Sequence, residues 1–502
     1  MLLESTSPAR PSWRLLIFLV LVGLTTLVVC TRHNTFPYTY HPDEDTKVRQ
    51  IVSGRRNFFH PLLLLTTTSA AYHSGLMEKN PLNAAIAGRW VSASFTALSV
   101  VALTILAGRW GGWASAWGAA ILLVLNPLGF ELAHYFKEDA ALLFGLSATF
   151  LALDVFWKTP RPTTAALLGV ASALAISGKY LGAIILLFVL PLLILKSRQN
   201  SARLLLWFLG GLVITIIIVD WPLLRHWIDF SNGLGREMNG ATGGHRGLSR
   251  DVPHAYYLAK LHEITPIGIW AGLGLTSIAM LVAWKKSTAT QLLTLLFPFF
   301  FLALLSFSPK TATRYVLPAT TLFSFLAGLA PGLIMRQSWQ IKTRLIFALI
   351  ALVAVMAGAV ASFSVWQHLY ADFSTDARGG LRQWIDQKTT PAAIIAQDER
   401  VDLLSDPHWK NRQILNSEFV ADLGSLDTLR KQNVRYVAVT RQTYNRFFNG
   451  LKPNSEKQAE FERRASFYRE LFATGNPVWE SPVGEIIYLH PGIRLYQIAP
   501  DQ

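Results

Sequence analysis

Residues 15–31 read LLIFLVLVGLTTLVVCT, and this uncharged run is followed by the acidic stretch HPDED at residues 41–45. A transmembrane helix needs about 20 mostly apolar residues, with a range of roughly 17–25. Arg10 and Arg14 precede the run as in a secretory signal, but no small-residue cleavage site follows it. We therefore interpret the run as a retained first membrane span, with the acidic stretch just beyond its far end.

Apolar runs of similar length recur along most of the chain. About eleven of them fit membrane spans, and they cover residues 15–31, 90–108, 110–130, 140–153, 162–178, 180–195, 204–219, 264–284, 287–309, 315–335 and 345–371. The chain is 51% hydrophobic and only 15% charged, with a mean hydropathy of +0.33, whereas soluble domains contain about 25% charged residues. The sequence therefore predicts a polytopic α-helical membrane protein.

Basic residues concentrate in every second connection between these runs. If the N-terminus is cytoplasmic, the cytoplasmic connections hold Arg10, Arg14, Arg109, Lys158, Arg161, Lys196, Arg198, Arg203, Lys285, Lys286, Arg336, Lys342 and Arg344. The opposite loops hold most of the acids, as the positive-inside rule describes. The net charge of +15 is then largely topological and does not indicate nucleic acid as a partner. The single cysteine, Cys30, excludes a disulfide framework and a cysteine-based metal site.

Three segments are not predicted to span the membrane. Residues 31–89 and 220–263 form two long outer loops, and residues 372–502 form a soluble extracytoplasmic α/β domain after a membrane domain of residues 1–371. In the tail, residues 392–396 and 434–439 have the apolar pattern of buried strands, with a helix at residues 426–431. Residues 485–489 and 493–498 are predicted to form a terminal hairpin. This topology places the protein in the plasma (inner) membrane.

Two acidic clusters lie on the outer side. Asp43, Glu44 and Asp45 follow the first span, and a carboxylate there could act as a general base that takes a proton from an acceptor. The alternative is an exposed, solvated loop. Glu138 and Asp139 lie where a later span begins, and they could equally serve as an interfacial anchor or cap the next helix.

Cations occur in very short outer connections, where the positive-inside rule disfavours them. Lys179, Lys310 and Arg314 are of this kind, and they call for an anionic partner such as a carboxylate or a lipid phosphate. The alternative is that these side chains reach out to lipid headgroups. The loop at residues 220–263 adds His245 and Arg246, and it leaves a divalent metal open, although its histidine spacings match no standard metal pattern.

These motifs, in this order, resemble a known family. The sequence has His41-Pro-Asp-Glu44, then His60-Pro61, then Tyr135 to Asp139, then Lys179-Tyr180, then Lys310 and Arg314-Tyr-Val-Leu-Pro318, with an exterior domain last. It resembles the GT-C superfold of membrane glycosyltransferases, and within it family 39, which includes protein O-mannosyltransferases and the bacterial aminoarabinose transferase of lipid A. Each motif is short, so the specificity of the resemblance comes from their order and topology. The small exterior domain favours a bacterial-type enzyme.

The resemblance implies an inverting transfer of a sugar from a polyprenyl phosphate carrier to an acceptor, outside the cytoplasm and without a nucleotide cofactor. It implies that Asp43, with Glu44 beside it, and Asp139 are catalytic. It implies that the phosphate is held by Lys179, Lys310, Arg314 and Tyr315. Further candidates for substrate binding are His41, His60, Glu138, His245 and Arg246. Because Asp45 follows the usual Asp-Glu pair, three residues are candidates for the catalytic base: Asp43, Glu44 and Asp45.

Several alternatives stay open at this stage. The acceptor is a glycolipid such as lipid A, another glycan, or a serine or threonine of a protein, and the sugar is undetermined. A transporter or flippase of lipid-linked substrates is the main competing function. Transporters, however, place ionisable groups near the middle of spans, whereas here they lie at span ends. A structural scaffold of the cell envelope is the third possibility.

Overall fold

The structure is a computed structural model, and it describes residues 13–35, 41–197, 201–243, 248–249, 253–283, 285, 287–403, 412–453 and 455–499. Most of the described residues are helical. The helices before the C-terminal sheet are α1 (Trp13–Thr31), α2 (Asp43–Ser53), α3 (Leu63–His73), α4 (Pro81–Gly111), α5 (Trp113–Val124), α6 (Pro127–Ala133), α7 (Asp139–Lys158), α8 (Pro162–Gly178), α9 (Leu186–Ser197), α10 (Ser201–Val219), α11 (Pro222–Arg225), α12 (Trp227–Gly243), α13 (Pro253–Ile264), α14 (Ile267–Val282), α15 (Ala289–Leu305), α16 (Leu317–Met335), α17 (Ile341–Asp372) and α18 (Ala377–Lys388).

Many of these helices are long and apolar enough to cross a membrane. Within the described residues, six pass that test of length and composition, or up to eight if each of two bent helix pairs is one span. Three shorter apolar helices, of 10–17 residues, accompany them. The number of about eleven spans therefore stays a prediction.

One predicted span is visibly broken. Trp110 and Gly111 end α4, and the rest of the predicted span at residues 110–130 divides into α5 and α6, whose axes differ by 57°. Pro127 cannot donate a backbone hydrogen bond, and the Asn126 side chain accepts one from the Gly129 N–H at 2.9 Å, so a new helix begins there.

Helix α16 lies at the centre of the bundle. It packs against α4, α5, α14, α15 and α17, and all of its residues except the last, Met335, are buried. It approaches α5 closely where Gly118 faces Gly328, since a Cβ on Gly118 would lie 2.5 Å from the carbonyl oxygen of Gly328. The loops that precede α16 are thereby held at one end of the bundle, together with the beginnings of α2 and α7.

The described residues contain seven β-strands, and five of them form a sheet after the last bundle helix. The strands are β1 (Leu248–Ser249), β2 (Ile394–Asp398), β3 (Ile414–Ser417), β4 (Val434–Thr440), β5 (Lys452–Pro453), β6 (Asn476–Glu480) and β7 (Ile493–Gln497), and the later helices are α19 (Leu426–Lys431), α20 (Arg441–Tyr444) and α21 (Gln458–Thr474). The sheet order is β3-β2-β4-β7-β6, with β3, β2 and β4 parallel and β7 antiparallel to both of its neighbours. The separate pair β1 and β5 joins the loop before α13 to this part of the chain.

In the C-terminal tail, strands β2 and β4 and helix α19 lie at or close to their predicted positions. The predicted terminal hairpin, however, is wrong. Strand β7 pairs with β6 rather than with residues 485–489, which form a turn. In that turn Ile486 and Leu489 are buried in the hydrophobic core of the helix bundle, and the Ile486 N–H donates to Asp372 at the end of α17. The apolar pattern that predicts a strand thus reflects burial against the helices.

Candidate active site

The three consecutive acids at the start of α2 point in three directions. Asp43 is 43% exposed and faces a cavity, where the ammonium group of Lys137 contacts its carboxylate. Asp45 is exposed and pairs with Arg49 one turn later at 2.8 Å. All three lie in the first helical turn, where the helix dipole favours negative charge. The Asp43 N–H also donates to Nδ1 of His41 at 3.1 Å, which fixes the beginning of the helix.

Glu44 has a different environment from either neighbour. Its carboxylate is almost fully buried and pairs with the guanidinium of Arg89 from α4, with 2.8 Å between Nη2 and Oε2. It also accepts the Phe136 N–H at 2.8 Å. Glu44 therefore ties α2 to α4 and to the segment before α7, and it does not line the cavity.

The second acidic cluster lies at the beginning of α7 and is densely paired. Glu138 contacts Lys47 of α2 at 2.8 Å, and His60 is 4.0 Å away. Asp139 contacts Lys179 at 2.7 Å. Within the described residues, however, the buried atoms Oε2 of Glu138 and Oδ2 of Asp139 have no hydrogen-bond partner. Two acceptors thus remain unsatisfied in a buried place, which is unusual for a purely structural network.

Cations from two further connections complete the cluster. Lys179 and Arg314 lie on the ring of Tyr315, at 4.8 Å and 5.2 Å from its centroid. Lys310 pairs with Glu237 of α12 at 3.0 Å. Arg314 comes no closer than 4.0 Å to a carboxylate, that of Asp139, so among the described cations of the cluster it is the least neutralised.

These groups surround one cavity of about 580 Å³. Its polar wall consists of Asp43, Thr46, Lys47, Gln50, Asn57, His60, Lys137, Glu138, Lys179, Tyr180, Glu237, Ser308, Lys310, Arg314 and Tyr315. Its apolar wall consists of Phe59, Leu65, Leu181, Leu234, Met238, Ala241, Leu304 and Leu305. The cavity can therefore hold a molecule that is anionic at one end and apolar at the other.

Burial and neighbouring charges set the protonation of the groups outside the spans. Burial lowers the pKa of Lys137 to about 7, and the nearby Arg314 acts in the same direction. Burial alone would raise the pKa of Glu138, but His60, Lys47 and Lys137 outweigh it and hold that pKa well below its usual value. Burial also lowers the pKa of His41 and of His60, so both imidazoles are neutral near pH 7.

Most of the residues selected from the sequence meet at this cavity. His60, Asp43, Glu138, Lys179, Lys310, Arg314 and Tyr315 line it, whereas Asp139 and His41 lie directly behind its wall. The predicted His245 and Arg246 lie outside the described residues.

Sequence reasoning assigned no role at the site to Lys47, Lys137, Glu237 or Tyr488. Lys47 and Lys137 are buried cations beside acids, a pairing that only the fold reveals. Tyr488 belongs to the turn after β6, and its hydroxyl lies 3.4 Å from Nε2 of His41. Among the described residues there is also no group of three or more His, Cys, Asp or Glu side chains that could hold a metal ion.

Comparison with solved structures defines the class of the fold. The crystal structure of ArnT from Cupriavidus metallidurans bound to undecaprenyl phosphate matches with a TM-score of 0.55 and 16% identity, over 98% of this chain and 100% of that one. The apo form of the same ArnT matches equally well, over 97% and 99%. The yeast Pmt1-Pmt2 protein O-mannosyltransferase complex matches more distantly, with a TM-score of 0.35, 18% identity, and coverage of 45% and 35%. The predicted fold class, a GT-C-like helical membrane protein with a C-terminal sheet domain, is confirmed.

The sequence also matches a family. Residues 69–231 match the model of dolichyl-phosphate-mannose-protein mannosyltransferases. No curated protein sequence is significantly similar to the chain. Together with the fold, this match supports the resemblance: the chain is a multi-span membrane protein whose fold is similar to that of ArnT, and its residues 69–231 are similar to a mannosyltransferase family.

Proposed function

We propose that this protein is an inverting glycosyltransferase that moves a sugar from a polyprenyl phosphate carrier to an acceptor on the extracytoplasmic face of the plasma membrane. The cavity carries the proposal, because a half-exposed carboxylate, Asp43, meets cations and unsatisfied buried acceptors there. Support also comes from the match to a mannosyltransferase family and from the likeness to an ArnT bound to undecaprenyl phosphate. The comparisons give no support to a transporter or flippase.

The positions of the cavity residues suggest a role for each of them in the transfer. Asp43 takes the proton of the acceptor as the acceptor attacks the anomeric carbon from the side opposite the phosphate, so the configuration inverts. Arg314, Lys179 and Lys310 stabilise the negative charge that develops on the departing phosphate. The apolar wall beside Leu304 receives the beginning of the polyprenyl chain.

The unsatisfied acceptors suggest where the sugar lies. A buried carboxylate oxygen without a donor favours a ligand that brings one, since leaving it unpaired costs about 1–3 kcal/mol. Oε2 of Glu138, which lines the cavity, is such an atom, and sugar hydroxyl groups are suitable donors. Glu44, locked against Arg89, then holds Asp43 in place rather than reacting itself.

The test is transfer by purified protein in lipid nanodiscs, with a panel of undecaprenyl-phosphate-linked sugars and envelope glycolipid, glycan and protein fractions as acceptors. Asp43→Asn should lower turnover by about 10²–10⁴-fold, the usual contribution of a general base. The matched control is Asp45→Asn, because Asp45 lies in the same helical turn but is exposed and pairs with Arg49. Lys310→Ala should also lower turnover. The control for it is Lys260→Ala, which should not lower turnover because Lys260 pairs with Glu263 and does not line the cavity.

Wild-type turnover in both Asp43→Asn and Lys310→Ala would disprove the residue assignment. Transport of an intact lipid-linked sugar without bond cleavage would favour the transporter instead. Full activity after replacement of all the charged cavity residues would favour a scaffold. Mass spectrometry of envelope glycans and glycoproteins, with and without the protein, would identify the sugar and the acceptor.

The orientation rests on the distribution of charge. Arg109, Lys158, Arg161, Arg336 and Lys342 lie in connections that the positive-inside rule assigns to the cytoplasm, and the sheet domain follows on the other side. We expect alkaline phosphatase fused after residue 502 to be active, since that enzyme requires an extracytoplasmic location. An inactive fusion at normal expression would reverse the orientation.

A further inference from the structure

The charges around the cavity leave one positive charge unbalanced. Five cations among the described residues line it, namely Lys47, Lys137, Lys179, Lys310 and Arg314. Four carboxylates face them, namely Asp43, Glu138, Glu237 and Asp139. Each of the four pairs most closely with a different lysine, although Glu138 also lies 3.9 Å from the Lys137 ammonium. Arg314 is left as the cation without a close carboxylate, since Asp139 is 4.0 Å from it.

This single excess positive charge balances the charge of the proposed donor, but not the charge of the lipid phosphate that is left after transfer. The phosphate of a polyprenyl-phosphate-linked sugar is a diester with one negative charge, so the occupied site is neutral. After transfer the phosphate is a monoester, whose second ionisation has a pKa near 6. It therefore carries close to two negative charges at neutral pH, and the site needs a second positive charge at that moment.

We propose that Lys137 is a positioning residue that holds Asp43 before transfer and becomes the second phosphate counter-ion after it. The inference rests on the proposed function. In the reaction, the acceptor oxygen bonds to the anomeric carbon, and the bond from that carbon to the phosphate oxygen breaks. The electron pair stays on the phosphate, and the acceptor proton moves to Asp43. Protonated Asp43 no longer neutralises Lys137, so the site gains a positive charge as the phosphate gains a negative one.

The geometry supports this exchange of partners. The Lys137 ammonium is almost completely buried, contacts the Asp43 carboxylate and lies in the cavity wall beside the cations assigned to the phosphate. A buried cation that loses its partner is strongly disfavoured, so it favours the arrival of a new anion. The charged and titratable groups that face this pair from the surrounding elements are His41, Lys47, Glu138, Asp139, Lys179 and Arg314, and Arg400 acts on His41 from the sheet domain. Because the pKa of Lys137 is about 7, its positive charge is complete below neutral pH, half present near pH 7 and lost above it.

Binding of free undecaprenyl phosphate at pH 7 is the first test, since it needs no knowledge of the sugar. Asp43→Asn should bind this monoester about tenfold more tightly, because one negative charge is removed close to it. Lys137→Met should bind it about tenfold more weakly for the converse reason. The double variant has the net charge of the wild type, and its affinity should return to within about threefold. Thermal unfolding of each variant checks that it is folded.

The pH dependence of transfer is the second test, with the donor and acceptor found active in the panel. Wild-type turnover should fall as pH rises above about 7, where Lys137 loses its proton. In Lys137→Arg this alkaline limb should move up by a unit or more, because a guanidinium stays protonated. A purely structural lysine would leave the limb unchanged.

The outcomes separate the two proposals. A wild-type protein that neither binds undecaprenyl phosphate nor transfers a sugar overturns the proposed function. A wild-type protein that binds it, with equal affinity in Asp43→Asn and Lys137→Met, overturns the role of Lys137 alone. An alkaline limb that is absent from the wild type, or unmoved in Lys137→Arg, does the same.

Discussion

Helix α7 carries a buried acid near each end, and the two acids have opposite surroundings. At its last turn Asp154 is fully satisfied: it accepts from Arg109 Nε at 2.6 Å and Trp110 Nε1 at 2.8 Å, and Lys158 lies at 3.2 Å. At its first residue Asp139 pairs with Lys179 through one oxygen, while the other has no hydrogen-bond partner in the described residues and lies 4.0 Å from Nε of Arg314. The first cluster ties helices together, whereas the second lies behind a cavity. Incomplete hydrogen bonding, rather than burial or charge, distinguishes the cluster beside the cavity from the one around Asp154.

The comparison predicts that Asp139→Asn harms activity far more than Asp154→Asn. The neutral amide that replaces the Asp139 carboxylate would not attract the Lys179 ammonium, so Lys179 would no longer be held in position to contact the donor phosphate. We expect turnover to fall about 100-fold, which is equivalent to about 2.7 kcal/mol. Asp154→Asn should stay within about threefold, because it lies at the opposite end of the helix. Both are measured with the same transfer assay, and equal losses in the two variants would remove the distinction between the clusters.

The converse experiment concerns stability. Asp154→Ala leaves the guanidinium of Arg109 without its carboxylate, and we expect a loss of about 1–3 kcal/mol. This is less than the roughly 3–5 kcal/mol of a fully buried pair, because Arg109 and Lys158 are about one third and two fifths exposed. The measurement is thermal unfolding in detergent, with turnover of the remaining folded protein as the control. A large fall in turnover per folded molecule would contradict a structural role.

The smallest expected effect tests the contact between the sheet domain and the acidic cluster. Tyr488→Phe removes the hydroxyl that lies 3.4 Å from His41, whose other nitrogen accepts the Asp43 N–H. A neutral hydrogen bond of this kind contributes about 0.5–1.5 kcal/mol, so turnover should fall about threefold. Tyr370→Phe is the control, because that hydroxyl accepts from Arg32 at the surface. An unchanged rate in Tyr488→Phe would show that the turn only packs against the bundle.

The sequence predicted those cavity residues whose charge interrupts an apolar run, but it did not predict those that are recognisable only by their ion-pair partners. Lys179 and Arg314 stand out because they interrupt apolar runs, and both line the cavity. Lys47 gives no such signal, since it follows three acids in a polar helix, and its partner Glu138 lies far along the chain. From the sequence alone, Asp43, Glu44 and Asp45 are equally good candidates for the catalytic base. Only the structure distinguishes them, because each pairs with a different cation: Lys137, Arg89 and Arg49, respectively.

By itself the sequence determined the membrane class, the grouping of acids and misplaced cations at one set of span ends, and the core strands of the tail. These follow from local properties, because a bilayer requires long apolar runs and a buried strand requires apolar residues. Only the tertiary structure decided which carboxylate faces the cavity, that residues 485–489 pack on the helices, and that Arg314 keeps an unbalanced charge. Those outcomes depend on distances between residues far apart in the chain, and the energy of an ion pair depends on such distances and on burial.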